Sequence, residues 1–223
     1  MTRESSTKPD SGEGGREAPT ASKGRPRLTE PSPDYLRRRQ EVIETAARVF
    51  HNQGYESGSL DDVAAALDLR KASLYYYVKS KSQLLYFVFD QAISEALERL
   101  RTVADTSDPA DRLRMYIQHQ VTIMSEERSL FRVFFENRPS LSPEFEASIR
   151  EKERQYLNLF IDAVKAAVDA DLLPAMDPRY GAQAILGMST WVYKWYDPES
   201  DDPAQVVEDF TALVLPSFPR PAL

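Results

Sequence analysis

Between positions 59 and 81 the chain gathers side chains that can donate hydrogen bonds or positive charge: Arg70, Lys71, Ser73, Tyr75, Tyr76 and Lys81. Arginine, lysine and serine donate to phosphate oxygens and to base edges, and a phenol can bond a phosphate oxygen while its ring packs on a sugar. This is binding chemistry rather than bond-making chemistry. No Ser/His/Asp arrangement, glycine-rich phosphate loop or metal set accompanies it, so an enzyme is not expected. The two histidines, His51 and His119, are far apart, and His119 has Gln118 and Gln120 as neighbours. With no cysteine in the chain, disulfides and thiolate metal sites are excluded. No metal and no cofactor is expected.

The donors need a frame, and cap chemistry supplies it. A first helix is expected over 35–53, with Ile43, Ala46, Ala47 and Phe50 on one apolar stripe and Gly54 following as a C-terminal cap. Ser59 caps a short helix over 60–67, with Asp62 three residues on, and Leu60, Val63, Ala64 and Leu67 as its buried face. A turn leads to a third helix over 71–78. Ser80 with Gln83 then opens a long fourth helix reaching about 103. Two short helices braced by a helix before and one after make a helix-turn-helix, whose second member presents its N-terminal residues to a groove. Leu74 is expected in the core, Tyr75 and Tyr76 outside, and Lys81 on phosphate. The competing reading makes Lys71 and Lys81 ordinary solvated charge, and the tyrosine run core.

Beyond the fourth helix, Asp108-Pro109, Ser142-Pro143, Asp177-Pro178 and Asp202-Pro203 each place a capping side chain before a proline that needs no N–H. They predict helices over 109–124, 143–170, 178–196 and 203–215, with a shorter one near 129–136. No segment shows sustained strand alternation, so the fold class is all-α. Residues 1–33 are polar and nearly free of apolar side chains; they read as a disordered arm, whose Lys23-to-Arg27 stretch could lie in a minor groove or merely solvate. No stretch is apolar enough for a signal peptide or a membrane span, so a cytoplasmic protein without membrane contact is expected.

The net charge of −7 is unevenly spread: residues 21–85 carry +3 and residues 86–223 carry −9. An acidic body repels phosphate, so nucleic acid should meet only the N-terminal part. Aromatic and methionine side chains crowd that body. Phe131 and Phe135 are candidates for the wall of a hydrophobic pocket, and Arg128, Arg132 and Arg138 beside them suit an anionic head on the ligand; Arg150, Lys152 and Arg154 lie further on. Alternatively, these cations pair with the surplus Asp and Glu.

The stretch SLDDVAAALDLRKASLYYYV from Ser59 to Val78, followed by KSKSQLL, resembles the TetR-family signature over about 36–96. Asp68 stands where that family usually has a turn glycine, Arg70 where it has serine and Val78 where it has phenylalanine, so no operator sequence carries over. Asp68 suits the turn, since aspartate tolerates left-handed backbone. The resemblance implies a helix-turn-helix domain over 36–96 with the motif at 59–78, and a helical ligand-binding and dimerisation domain over 97–217. It implies that Ser59 and Lys81 touch phosphate while Lys71, Ser73, Tyr75 and Tyr76 lie in or beside the major groove of double-stranded operator DNA. Much of 132–215, including MDPRYGAQAILGMSTWVYKWYDPE, is similar to the acyl-CoA-responsive branch of that family. This implies an acyl-CoA inducer near Trp191, Lys194 and Trp195, and a repressor of lipid or sterol catabolism. It also implies a homodimer, aided by the small residues Gly181, Ala182, Ala184, Gly187 and Ser189, with recognition helices about 34 Å apart. The alternatives are a repressor answering a different hydrophobic molecule, and a helical interaction protein without specific DNA binding.

Overall fold

The computed structural model describes residues 31–103 and 106–215; the arm and its Lys23-to-Arg27 stretch lie outside them. Helix starts follow the caps: Ser32, Ser59, Asp108, Asp177 and Asp202 each accept from a first-turn backbone N–H, which no intrahelical carbonyl can reach. The helices are α1 (Pro33–Gln53), α2 (Leu60–Ala66), α3 (Lys71–Leu74), α4 (Lys81–Val103), α5 (Pro109–Glu126), α6 (Arg128–Asn137), α7 (Pro143–Asp169), α8 (Pro178–Thr190), α9 (Val192–Trp195) and α10 (Pro203–Val214), with a 3-10 turn over Arg138–Ser140. Among the described residues there is no strand, and the all-α class holds.

Two elements depart from expectation. The third helix stops at Leu74 instead of 78, because Tyr76 and Tyr77 bond back three residues, to Ser73 and Leu74, which tightens the chain out of α-helix. The helix expected over 178–196 breaks at Trp191, where Lys194 bonds back three residues to the Trp191 carbonyl; α9 restarts beyond it.

Two apolar cores organise the chain. The first, in what we term the head, joins α1, α2, α3 and the first half of α4, around fully buried Leu74, Leu84 and Leu85. Burying one leucine contributes about 1.5–3 kcal/mol. The second core, in the body, joins the second half of α4 with α5, α7, α8, α9 and α10. Helix α4 therefore runs through both. So does α6: Phe134 is packed into the head core, its ring 4.1 Å from that of Phe89, while Phe131 and Phe135 pack against the body core.

Candidate functional site

In the head, α2 and α3 are held by three local devices. Ser59 accepts from the Asp62 N–H, and Asp62 accepts from the Ser59 N–H at 2.8 Å, a reciprocal cap. Those Ser59 hydrogen bonds hold the Asp62 carboxyl below its ordinary value. After α2, Asp68 sits at φ 52 while its N–H and that of Leu69 bond back to Ala65 and Ala64. This closing turn usually takes glycine, and aspartate bears the left-handed backbone. Leu74 then anchors α3 in the core with no exposure.

That anchoring leaves Arg70, Lys71, Ser73, Tyr75 and Tyr76 exposed on the outer side of α3, Tyr76 at 71 % and Tyr75 at 44 %. Tyr76 and half-buried Tyr77 pack with Tyr35 of α1, ring centroids 5.2 to 5.5 Å apart. Lys71 pairs with Asp61 at 2.8 Å; this hydrogen bond and the Asp61 charge raise its pKa. Lys81 Nζ donates to the Glu56 carbonyl at 2.9 Å and lies over the Tyr55 ring. The Ser59 hydroxyl donates to Asp62 at 2.6 Å, so its proton is already engaged. The exposed Lys71–Asp61 pair is worth little in water, so Lys71 can leave it for another anion.

In the body, α4, α5, α6, α7 and α8 line an apolar cavity of about 340 Å³ that is partly open to solvent, a size within the range of about 300–1,000 Å³ of small-molecule sites. Phe89, Ile93, Met124, Phe131, Phe134, Phe135, Ile149 and Leu186 are among its walls. A second hollow of about 320 Å³ adjoins it at the head–body junction, lined by Ile43, Glu44 and Ala47 of α1 among others. Ala92, Ala96, Ile123 and Phe131 border both. Close by on α5, His119 Nε2 is buried with no partner among the described residues. Burial, and secondarily the Arg99 charge, push its pKa down to about 4.

This pairing of a helix-turn-helix head with a hollow helical body has known counterparts. Residues 42–86 match the profile of bacterial regulatory proteins of the tetR family, and residues 106–218 match the tetracyclin repressor-like C-terminal domain. The chain belongs to the TetR family. Its described core is similar to the crystal structure of AibR in complex with isovaleryl coenzyme A and operator DNA, at a TM-score of 0.74 and 29 % identity, covering 81 % of this chain and 100 % of that one. A transcriptional regulator of the TetR/AcrR family from Thermobifida fusca gives 0.70 and 31 % over 82 % of this chain and 100 % of that one. The transcriptional repressor KstR2 of Mycolicibacterium smegmatis is 25 % identical over 185 residues, 80 % of this chain and 89 % of the relative.

Against this TetR frame, the residues expected at the ligand divide. Phe131 and Phe135 line the cavity. Arg138 does not: its guanidinium is clamped between Glu146 and Glu153, at 3.0 and 2.5 Å, the pairing with surplus acid that the sequence offered as the alternative. Arg150, Lys152 and Arg154 are likewise paired, with Glu146, Asp90 and Glu151, and Arg128 donates to the Tyr196 carbonyl. Exposed Arg132 has no ion pair among the described residues. Trp191, Lys194 and Trp195 also stand outside the cavity. On α9, Val192, Tyr193 and Tyr196 share the buried face, which turns Trp191 (58 % exposed), Lys194 and Trp195 (43 %) outward, and Lys194 pairs with Glu136 at 3.0 Å. Among the small residues, Gly181 serves packing within the subunit, since a Cβ there would lie 2.9 Å from Val164 of α7. Ala182 and Ser189 are buried, while Ala184 and Gly187 face outward. The polar wall residues Gln120, Glu153, Gln183 and Thr190 escape sequence reading, although Gln120 leaves a signal. It interrupts the apolar stripe of Leu113, Tyr116, Ile117 and Met124 on α5.

Proposed function

We propose that this TetR-family chain is a ligand-responsive repressor whose dimer binds palindromic operator DNA through the outer side of α3, and whose body cavity takes an apolar ligand that weakens that binding. The observation that carries the reading is the double duty of α6. Phe134 lines the cavity and also packs in the head core, and Phe131 borders both the cavity and the junction hollow against α1. A ligand displacing these rings changes the seat of the head. The next contact outward is at the 3-10 turn, where Ser82 at the start of α4 donates to the Ser140 carbonyl at 2.8 Å. The protein thus holds two head spacings, and the ligand shifts their populations by no more than the difference in its affinities for them.

On DNA, Ser59 and Lys81 take phosphates, while Arg70, Lys71, Ser73, Tyr75 and Tyr76 lie at the major groove; residues 36–96 act as the reading domain and 97–217 as the sensing and pairing domain. Tyr180, Ala184 and Gly187 of α8 and Trp191 just after it form an exposed stripe, and Leu213 on α10 is also exposed. These form the dimer face, the role we give Trp191 in place of ligand contact. Such a protein works where DNA is, in the cytoplasm. An acyl-CoA as ligand is supported by the isovaleryl coenzyme A in the AibR structure and by free, exposed Arg132 next to Phe131, which suits the phosphates of the CoA head. A second reading, a hydrophobic ligand without an anionic head, is favoured by the pairing of Arg138, Arg150, Lys152 and Arg154.

The test selects an operator from randomised duplexes and measures its affinity at fixed salt. Lys71→Ala and Tyr76→Ala should each weaken it about fivefold, the scale of one good contact; no loss in either would refute the placement of α3. Sedimentation showing a monomer at micromolar concentration would contradict the dimer.

A further inference from the structure

The apolar cavity has one polar end. Tyr156 on α7 donates its hydroxyl to Gln120 Oε1 at 2.6 Å, and Gln120 on α5 donates Nε2 to Thr190 Oγ1 on α8 at 3.0 Å. All three side chains line the cavity, and Gln120 is only 3 % exposed. Burying an amide costs free energy that its hydrogen bonds roughly offset, and apolar side chains of the same shape would join three helices about as well. Helix packing alone therefore gives no reason for a glutamine at this point on the α5 stripe.

Counting protons shows what the chain of bonds offers. The Tyr156 proton goes to Gln120, and one Gln120 amide proton goes to Thr190. The second amide proton and the Thr190 hydroxyl proton have no acceptor among the described residues. Burial keeps the Tyr156 phenol protonated, so it continues to hold the amide in this orientation. The carboxylate among the lining residues, Glu153, is turned to Arg138 at 2.5 Å. Gln183, the remaining polar lining residue, is exposed, so what the buried end offers the hollow is a pair of neutral donors beside hydrocarbon. A carboxylate ligand would bring unpaired charge toward Glu153, and a pure hydrocarbon would leave the donors unmet.

We infer that Gln120 and Thr190, with Tyr156 fixing the amide, bind the carbonyl oxygen of a ligand whose remaining buried part is hydrocarbon. This rests on the cavity being the ligand site proposed above, and it adds which chemical group the site selects. A thioester and a ketone share that oxygen.

The experiment follows displacement of N-phenyl-1-naphthylamine from the full chain by two matched pairs: decanoyl-CoA against its thioether S-decyl-CoA, and 2-decanone against decane. The carbonyl member of at least one pair should bind about tenfold tighter, the worth of one net hydrogen bond. Thr190→Val and Gln120→Leu should each bring that ratio near one without weakening the carbonyl-free probe, which no longer leaves a donor unmet. Thr190→Val conserves volume at a half-buried position, so the readout survives if Gln120→Leu fails to fold. Equal affinities within both pairs overturn the inference, and so does a variant that weakens both members alike, the mark of a mere strut. Discrimination between ketone and alkane while neither CoA compound displaces the dye would refute the acyl-CoA ligand and uphold the carbonyl site. A dye that never enters the cavity overturns both.

Discussion

Ala46 on α1 and Ala92 on α4 belong to packed neighbouring helices and meet different surroundings. Ala46 is fully buried in the closed core of the head. Ala92 stands on the wall between two hollows of about 320 and 340 Å³. In the head the interior is filled, and the donors of α3 are displayed outside because Leu74 is held fast. In the body the core is left unfilled, and its aromatic walls belong partly to the head. On the function proposed above, a small molecule that never touches DNA moves the reading head through α6, so stability and function would share residues in the body and use separate ones in the head.

The sharpest way to break this contrast is to add the same volume to each core. Ala46→Leu should destabilise the protein by about 1–3 kcal/mol, since a filled interior must strain to accept three more carbons. Ala92→Leu should cost well under about 1 kcal/mol, because the added atoms enter a void. Urea midpoints at constant m-value check this, and equal losses would mean that the cavity is not an open space in solution.

A second expectation sharpens the contrast through pH. His119 is held neutral in the body by burial and by Arg99, and its pKa of about 4 lies below the ordinary 6.5. Between those values the unfolded chain binds a proton that the folded one refuses, so stability falls as pH drops from about 6.5 to 4 and levels off beneath. Going from pH 7 to pH 5 should remove about 2 kcal/mol through this group. His119→Gln should erase that part of the slope in urea unfolding; an unchanged slope would show that the imidazole is hydrated in the folded state.

The smallest expected effect lies on the head surface. Asp61→Asn frees Lys71 and removes a carboxylate from the face proposed to meet DNA, so affinity for any duplex should rise several-fold at low salt and the gain should shrink at high salt. Unfolding should hardly change, since the Lys71–Asp61 pair is exposed. A gain independent of salt would contradict the electrostatic account.

The same contrast governs what was legible in the sequence. The Ser59–Asp62 cap, the turn at Asp68 and the proline-led starts are local, each readable within a few residues, and the structure shows them. Exposure of the α3 donors follows from one anchored leucine and helical spacing. The cavity is assembled from five helices, so its polar members were not legible, apart from Gln120 as a polar gap in an apolar stripe. The pairing of Arg138 was not legible because its partners, Glu146 and Glu153, lie eight and fifteen residues on and meet it only after α7 folds back. Trp191 and Trp195, which the resemblance put near a ligand, stand outside the cavity, and the break at Trp191 that ends α8 early was not legible because periodicity alone continued the helix.

The central claim is that a ligand in the body hollow, by displacing the α6 rings, releases the head from DNA, whereas the leucine of Ala92→Leu takes up the ligand's space without displacing those rings. Operator affinity of the wild type and of Ala92→Leu, each with and without decanoyl-CoA at fixed salt, tests it most directly. The account predicts at least about a fivefold weakening in the wild type, the low end of ordinary coupling between sites, and none in Ala92→Leu, which should bind operator unaided. Unchanged wild-type affinity, at a decanoyl-CoA concentration that empties the cavity of dye, would contradict it.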